Sequence, residues 1–544
     1  MNQKINISIC LTLLIIFVSI IASKDTYATV RLLDSKLILN GYVKEVMFYR
    51  TAQKSRDEKY HDSKMDFLKT SAGIEALYKI KETEDYTLEF FTGMKWWYEA
   101  SMHLDDELRR NVPARTRDEY MSPQNFDDDV LNEAYFDFVK GPWQIRVGKQ
   151  IVVWGNLDVD RAADVVNAVD FRHSMFGIDK WEEFKRGVTM VRMFYQSELP
   201  GNLRFEVIVN PGDFKGNLFP MTEGLHYGPD AWELEKSQYK LNPDGTRALP
   251  YADFGYAHYV GEKIRSDAPG WNRKNWELGF KISGYTWNWD WSLIYYDHIN
   301  KDPVADPDAL NRWAGGYFLY GAFGPPLPYP SYHTEKVFKY KRSQIVGGTL
   351  ERELLSGGPM FRGAILTFEW FYEIGTPLNK TGSDEFVGDN QGMGEGYIVR
   401  RDIIGGACKL YQKINIPGFT NSFIATGKHF EFTLTYFMEK VMNHDRELVL
   451  INRYHEWNQS IADSISFFAI QQMFNFSWTF VFNSYYKPRI DKWMVAPAVR
   501  YTFSGSQFYT EFGYIMYGGA KNKKWTSRTM ESKESILLKL VYEF

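Results

Sequence analysis

The chain has 544 residues and a formal net charge of −4; 44% of its residues are hydrophobic and 17% are aromatic. A mean hydropathy of −0.39 beside so many aromatic residues excludes both a bundle of transmembrane helices and a disordered chain. Only two cysteines are present, Cys10 and Cys408, which excludes a disulfide scaffold, a cysteine zinc site and covalent haem attachment. No run of like charges predicts a nucleic-acid partner.

The N-terminal segment has the features of a signal peptide. Lys4 supplies a positive charge, and an almost unbroken apolar run extends from Ile5 to Ala22. Thr26-Tyr27-Ala28 provides the small residues that a signal peptidase recognises. Residues 1–28 are therefore predicted to be removed on export, and residues 29–544 to form one domain in the cell envelope. A single N-terminal membrane anchor is the alternative, because about 18 apolar residues can cross a bilayer.

Beyond residue 30, apolar and polar side chains alternate in segments of about 9 to 12 residues, the length of a transmembrane β-strand. The last segment shows this best, because every second residue from Ile536 to Phe544 is apolar. Tyr542 and Phe544 resemble the C-terminal signal of bacterial outer-membrane barrels, which the barrel-assembly machinery reads. The predicted strands lie near residues 35–48, 67–80, 84–99, 130–140, 143–154, 187–197, 202–210, 274–286, 289–299, 339–351, 360–373, 400–413, 421–438, 463–474, 477–486, 492–503, 507–518 and 534–544.

The connections between these strands alternate in length. Short turns, for example around Asn288 and at 504–506, alternate mostly with long loops such as 155–186 and 211–273. This is the topology of outer-membrane barrels, with short periplasmic turns, long extracellular loops and both termini in the periplasm. The predicted fold is therefore all-β, a single transmembrane antiparallel β-barrel of about 18 strands, with 16 possible.

The densest polar cluster follows the fifth predicted strand. Gly148-Lys149-Gln150 with Trp154-Gly155, and then the run 164–170 with sequence DVVNAVD, resembles the hallmark segment of the exported barrels grouped as domain of unknown function 1302. Members of that family usually carry proline after the asparagine, where this chain has Ala168. The resemblance implies an outer-membrane barrel, and it supplies no settled substrate and no established catalytic residues.

Two interpretations of the loop after Trp154 are open. It is either a solvated extracellular loop braced by ion pairs, or a segment folded into the barrel mouth that narrows the pore. In predicted strand 143–154, alternation places Arg146 and Gln150 on the lumen face and Ile151 and Val153 on the lipid face. It also places Lys149 on the lipid face, where a cation at the midplane costs about 2 to 4 kcal/mol. Lys149 is therefore expected to snorkel, to lie near an interface or to adjoin a bulge.

The candidate residues that line or narrow the pore are polar residues of this loop and of the predicted lumen faces. They are Arg146, Gln150, Asp158, Asp160, Arg161, Asp164, Asn167, Asp170, Arg172, Arg204, Glu206, Glu277, Lys281, Glu369, Glu431, Arg500 and Glu511. The set carries both signs of charge, together with Glu133 and Asp137, so strong ion selectivity is not predicted.

The favoured function is a porin-like channel for passive or weakly selective passage of small solutes. One alternative is transport of a hydrophobic molecule with a periplasmic carrier and an inner-membrane pump. The other is a barrel-embedded hydrolase, for which His429, Ser466 and the pair Glu369 and Glu511 are the candidate residues, although no G-x-S-x-G or H-E-x-x-H motif occurs. No catalytic residue, metal or cofactor is predicted. The expected partners are outer-membrane lipid, lipopolysaccharide and the barrel-assembly machinery. Asp127-Asp128-Asp129 is expected to face solvent or lipopolysaccharide rather than calcium.

Overall fold

The structure is a computed structural model. It describes residues 29–51, 65–100, 125–157, 162–170, 181–217, 266–267, 269–302, 304–305, 338–355, 361–380, 397–415, 429–445, 448–449, 460–489, 491–504, 506–519 and 534–544. The predicted signal peptide, residues 1–28, lies outside the described residues. Within the described ranges, no helix is both long enough and apolar enough to cross a membrane.

Eighteen antiparallel strands in the described part of the chain pair in sequence order and close into a barrel, because the last strand pairs with the first. They are β1 (Leu37–Arg50), β2 (Met65–Glu82), β3 (Thr87–Glu99), β4 (Leu131–Lys140), β5 (Trp143–Gln150), β6 (Val188–Gln196), β7 (Arg204–Asn210), β8 (Glu277–Thr286), β9 (Trp289–Ile299), β10 (Arg342–Leu354), β11 (Ala364–Lys380), β12 (Tyr397–Ile414), β13 (Phe430–Val441), β14 (Ile461–Met473), β15 (Trp478–Lys487), β16 (Lys492–Thr502), β17 (Phe508–Gly519) and β18 (Ser535–Glu543). The prediction of an 18-stranded barrel is confirmed.

A few short strands accompany the barrel. Val30–Leu32 forms a hairpin with the start of β1, and Leu448–Val449 pairs with the end of β11. A small separate sheet joins Ser266–Asp267, Phe338–Lys339 and Val304–Ala305. These pieces lie beside the wall and leave its closure unchanged.

The short connections lie at one end of the barrel, as predicted. Residues 287–288 form a two-residue hairpin turn in which Trp287 and Asn288 have φ values of 53° and 62°, which match the twist of the flanking strands. The strand predicted from residue 421 begins at Phe430, and residues 416–428 lie outside the described residues. Most connections at the opposite end are long, including 100–130 and 211–276.

The two faces of the wall differ as the alternation predicts. Phe512 is 59% exposed and Trp370 is 40% exposed on the outside, whereas the neighbouring Glu511 and Glu369 are 4% and 2% exposed on the inside. An outer surface of large apolar side chains needs lipid around it, so the fold is that of an outer-membrane β-barrel.

Aromatic pairs mark the short-turn end of the outer surface. The rings of Trp143 and Tyr195 lie 4.6 Å apart, and those of Trp478 and Tyr501 lie 4.8 Å apart. Each pair joins residues at or near the short-turn ends of adjacent strands. Amphipathic rings near the end of a barrel's outer surface are typical of the membrane–water interface.

Candidate functional site

The chain leaves the barrel wall at the end of β5 and enters the lumen. Glu133 Oε1 accepts the Ile151 N–H at 2.8 Å, and Asn167 Oδ1 accepts the Val152 N–H at 2.7 Å. These bonds replace the next rungs of the strand ladder, so β5 ends at Gln150. The prediction that the strand continues to residue 154 with Ile151 and Val153 facing lipid is therefore wrong. We call residues 151–157, 162–170 and 181–187 the lumen segment.

Glu369 on the inner face of β11 holds the lumen segment by its main chain. Its Oε2 accepts the Ala163 N–H at 2.9 Å, and its Oε1 accepts the Leu157 N–H at 3.0 Å and also the Asn156 N–H. Glycine at position 155 leaves room for this carboxylate, because a Cβ there would lie 2.8 Å from Glu369 Oε1. A single carboxylate thus fixes three amides from two parts of the segment.

Lysine side chains of the wall bind the carbonyl groups of the same segment. Lys281 on β8 donates to the Trp154 carbonyl at 3.0 Å, and Lys409 on β12 donates to the Asn156 carbonyl at 2.7 Å. Lys95 on β3 donates to the carbonyls of residues 183 and 185 at 3.0 and 3.1 Å. Cations on widely separated strands therefore hold the main chain of the segment.

The apolar residues of the lumen segment pack against the inner wall. Trp154 is fully buried, donates from Nε1 to Glu206 at 2.8 Å and meets the Tyr296 ring edge-on at 5.9 Å. Leu157 lies in a cluster with Phe371 and Phe437 of β11 and β13. Hydrophobic burial therefore adds to the hydrogen bonds that hold the segment in place.

A buried ion pair braces the segment internally. Lys185 Nζ contacts Asp164 Oδ1, and both side chains are 0% exposed. Asn167 donates from Nδ2 to the Gln150 and Arg186 carbonyls at 3.2 and 2.9 Å. Asp164 and Asn167 thus lie inside the fold of the segment rather than on an open surface.

These contacts extend around much of the lumen. Lys44 of β1 pairs with Glu183, and the other anchors described above come from β3, β4, β7, β8, β11 and β12. Of the two interpretations of this loop, the geometry favours the one in which it folds into the barrel mouth.

The family of the chain follows from a comparison with known families. The family described as "Protein of unknown function (DUF1302)" matches residues 33–531, which is nearly the whole chain. The chain belongs to this family. The resemblance stated from Gly148 to Asp170 is confirmed, and the segment that carries it includes much of the lumen segment.

Comparison with solved structures finds barrels of low sequence identity. Salmonella typhi OmpF in complex with daunomycin is 8% identical over 95% of this chain and 100% of that chain, with a TM-score of 0.38. OccAB1 of Acinetobacter baumannii is 8% identical over 95% and 97%, with a TM-score of 0.45. A BenF-like porin from Pseudomonas fluorescens Pf-5 is 7% identical over 93% and 98%, also with a TM-score of 0.45. Comparison with curated protein sequences gives no significant match.

The remaining loop residues predicted for the site are only partly described. Asp158, Asp160, Arg161 and Arg172 lie outside the described residues. Asp170 is half-buried, and its N–H donates to the Phe184 carbonyl at 2.6 Å.

Gln150 and Lys149 close the extracellular end of β5. Gln150 is 1% exposed and donates to the Met190 carbonyl at 3.1 Å. Lys149 pairs in register with Ala134 on the outer face, yet it is only 6% exposed, because it binds the carbonyl and carboxylate of Asp127 in the π-helix Phe126–Val130. Lys149 therefore lies at the long-loop end of β5, close to a β-bulge of β4, where the register with β3 shifts between Glu133 and Leu131.

Asp127-Asp128-Asp129 thus meets lysines: Asp127 pairs with Lys149, and Asp128 pairs with Lys215. Across the described ranges, no group of three or more His, Cys, Asp or Glu side chains is arranged to hold a metal ion.

Most of the other predicted lumen residues form separate ion pairs. Arg146 donates to Asp137 at 2.7 Å between β4 and β5, and Arg500 donates to Glu511 at 2.7 Å between β16 and β17, both towards the short-turn end. The remaining contacts are Glu277 with Lys301 at 2.6 Å, Glu431 with Lys413 at 3.2 Å, Glu206 with Arg192 at 2.6 Å, and Arg204 with Gln144 at 3.3 Å. Glu369 and Glu511 have different partners and do not form a carboxylate pair.

Sequence reasoning missed Arg192 and Lys185. Arg192 alternates with the apolar residues Met190 and Phe194 on the inner face of β6, so the strand reads as uniformly apolar there. The strand alternation could have placed Arg192 on the inner face of β6. Lys185 lies outside the barrel strands, so alternation gives no signal for it.

Two serine–histidine combinations in the described part of the chain lack the geometry of a catalytic pair. Ser466 pairs with Thr435, six residues from His429, which corresponds to about 20 Å along the strand. Ser343 Oγ lies 3.2 Å from His298 Nε2 but donates its hydrogen to Glu373 at 3.0 Å. A nucleophilic serine would have to give that proton to the histidine.

Proposed function

We propose that this chain is an outer-membrane channel for passive, weakly selective passage of small solutes, and that the lumen segment narrows its pore. The observation that carries the proposal is the attachment of the segment to the inner wall through Glu369. A carboxylate on β11 binds amides of a segment that starts at β5, on a distant part of the wall. Such a tether places main chain across the space through which solutes would pass.

The charges along the inner wall support weak selectivity. Arg146 with Asp137, Arg192 with Glu206 and Arg500 with Glu511 place both signs side by side. Fixed charges in a narrow lumen act on passing ions more strongly than the same charges in bulk water. Because the signs are mixed, we expect ions of either sign to pass.

The same proposal includes the surroundings of the barrel. Outer-membrane lipid and lipopolysaccharide would contact the apolar exterior, and the barrel-assembly machinery would read the C-terminal Tyr542 and Phe544, whose rings stack at 6.1 Å. Channel activity of this kind requires no cofactor.

The direct test is to reconstitute the purified protein in liposomes and planar bilayers. We expect discrete conductance steps in potassium chloride, and swelling rates that fall as the size of an uncharged sugar increases. Protein that is denatured by heat before reconstitution is the control. A folded barrel that gives neither conductance nor swelling would overturn the proposal.

A further inference from the structure

Three arginine side chains lie close together on the inner wall of β5 to β7. Arg146 and Arg192 are direct cross-strand partners, and Arg204 begins the next strand at the short-turn end. Like charges directly opposite each other destabilise a sheet. The carboxylates paired with Arg146 and Arg192 offset this repulsion.

Carboxylates hold two of these arginines by one edge only. Arg146 donates from Nε to Asp137 at 2.7 Å, and Arg192 donates from Nε to Glu206 at 2.6 Å. Within the described residues, the Nη groups of Arg146 and Arg192 make no hydrogen bond. Each guanidinium is thus held through its Nε, which leaves the Nη donors for another acceptor.

Arg204 is oriented by neutral groups. Its guanidinium stacks on one side of the Phe194 ring at 4.2 Å, while Arg192 occupies a position 4.5 Å from the same ring. Its Nη2 donates to Gln144 Oε1 at 3.3 Å, and Gln144 is itself held by Asp137. Arg204 is exposed and makes no ion pair with any residue that the structure describes.

Asp137 and Glu206 each pair with one of the three arginines, which leaves Arg204 without a paired carboxylate among the described residues. Lys281, which faces the same space, donates to the Trp154 carbonyl. Glu133 and Glu369 lie nearby, and their oxygens accept main-chain N–H groups of the lumen segment.

We propose that Arg146, Arg192 and Arg204 form a binding subsite for the carboxylate group of a small organic anion on its way through the pore. The proposal rests on the proposed channel function and names the class of solute. Guanidinium groups bind carboxylates through paired N–H donors, and groups whose planes are already fixed lose little entropy on binding. Arg204 would be the first contact for an anion that enters from the short-turn end.

The test uses the full-length mature protein in planar bilayers with potassium chloride on both sides and succinate as the probe. We expect succinate to reduce the chloride conductance, and to do so at lower concentration from the short-turn side. Arg204→Gln should raise the half-effective succinate concentration about tenfold or more. The matched control is Arg31→Gln, because Arg31 is an exposed arginine on Val30–Leu32, outside the barrel wall.

A second variant covers the case in which Arg204→Gln fails to fold. Gln144→Leu keeps all three arginines and removes the acceptor that orients Arg204, so it should weaken the effect of succinate by a smaller factor. Conductance without any effect of succinate, or with an equal effect in Arg204→Gln and Arg31→Gln, would overturn the subsite and leave the channel function intact. Equal inhibition by inorganic phosphate would overturn the carboxylate assignment. No conductance at all would overturn the channel function itself.

Discussion

The Leu157 N–H donates a hydrogen bond of 3.0 Å to Glu369 Oε1, although the two residues are 212 positions apart in the sequence. Leu157 belongs to the lumen segment and Glu369 to the inner face of β11. Together with the bonds from Asn156 and Ala163, this contact joins the segment to a wall on which it has no sequence neighbour.

Replacing Glu369 should loosen this attachment without unfolding the barrel. In Glu369→Gln, the amide nitrogen would face an N–H donor of the segment, so at least one buried donor loses its acceptor at a cost of about 1 to 3 kcal/mol. We expect larger and noisier single-channel conductance. The isosteric control is Glu82→Gln, at an exposed pair with Lys79 at the short-turn end of β2. Identical current traces from the two variants would argue against Glu369 as the anchor.

The buried pair Asp164 and Lys185 should stabilise the segment only as a pair. Asp164→Asn removes the carboxylate charge beside the buried Lys185 ammonium, and breaking a buried ion pair costs about 3 to 5 kcal/mol. We expect faster protease cleavage near residue 164 in the intact barrel. The double variant Asp164→Asn with Lys185→Met should recover much of the protection, and no recovery would show that the pair is not the cause.

The outward assignment of side chains can be tested by placing charge in the lipid. Phe512 is 59% exposed and Leu366 lies on the same face of its own strand. Phe512→Arg or Leu366→Arg should lower the free energy of unfolding in lipid by about 2 to 4 kcal/mol if the site is near the midplane. Phe512→Leu is the control and should cost much less. Equal costs for arginine and leucine would mean that Phe512 does not face lipid.

The C-terminal aromatic should matter for barrel closure. The Phe544 main chain exchanges hydrogen bonds of 2.7 and 2.9 Å with Gly41, and its ring covers the space that a Cβ of Gly41 would occupy. Deleting Phe544 should therefore lower the yield of folded barrel, and Gly41→Leu should do the same by displacing the ring. The measurement is the folded fraction seen as heat-modifiable mobility on gels. Gly141→Ala, at a turn with open space, is the comparison, although its φ of 54° adds a small strain.

Much of the barrel could be predicted because its rules are local. Alternation along a strand such as β18 shows which side chains face lipid, and turn length shows which end is periplasmic. The end of β5 could not be predicted in the same way. Ile151 and Val153 continue the apolar alternation of β5, but the chain has already left the wall there, and Val152 and Trp154 pack against the wall from inside the lumen.

The anchoring of the lumen segment was beyond sequence reasoning for a different reason. The sequence marks Glu369 and Lys281 only as polar residues on inward faces. It does not single out Lys409. Their partners are main-chain groups, which carry no sequence signal, and the contacts connect strands far apart in the chain. The polar residues around Trp154 indicate a special segment in the sequence, but they do not indicate which wall residues bind it.

The most direct test of the constriction is the single-channel conductance of a barrel without the lumen segment. Gln150 and Val188 are cross-strand partners, so a short glycine and serine linker can replace residues 152–186 while β5 and β6 stay paired. If the segment narrows the pore, conductance should rise several-fold and larger sugars should pass. A folded variant with unchanged conductance, ion preference and sugar permeation would show that the segment lies outside the permeation path.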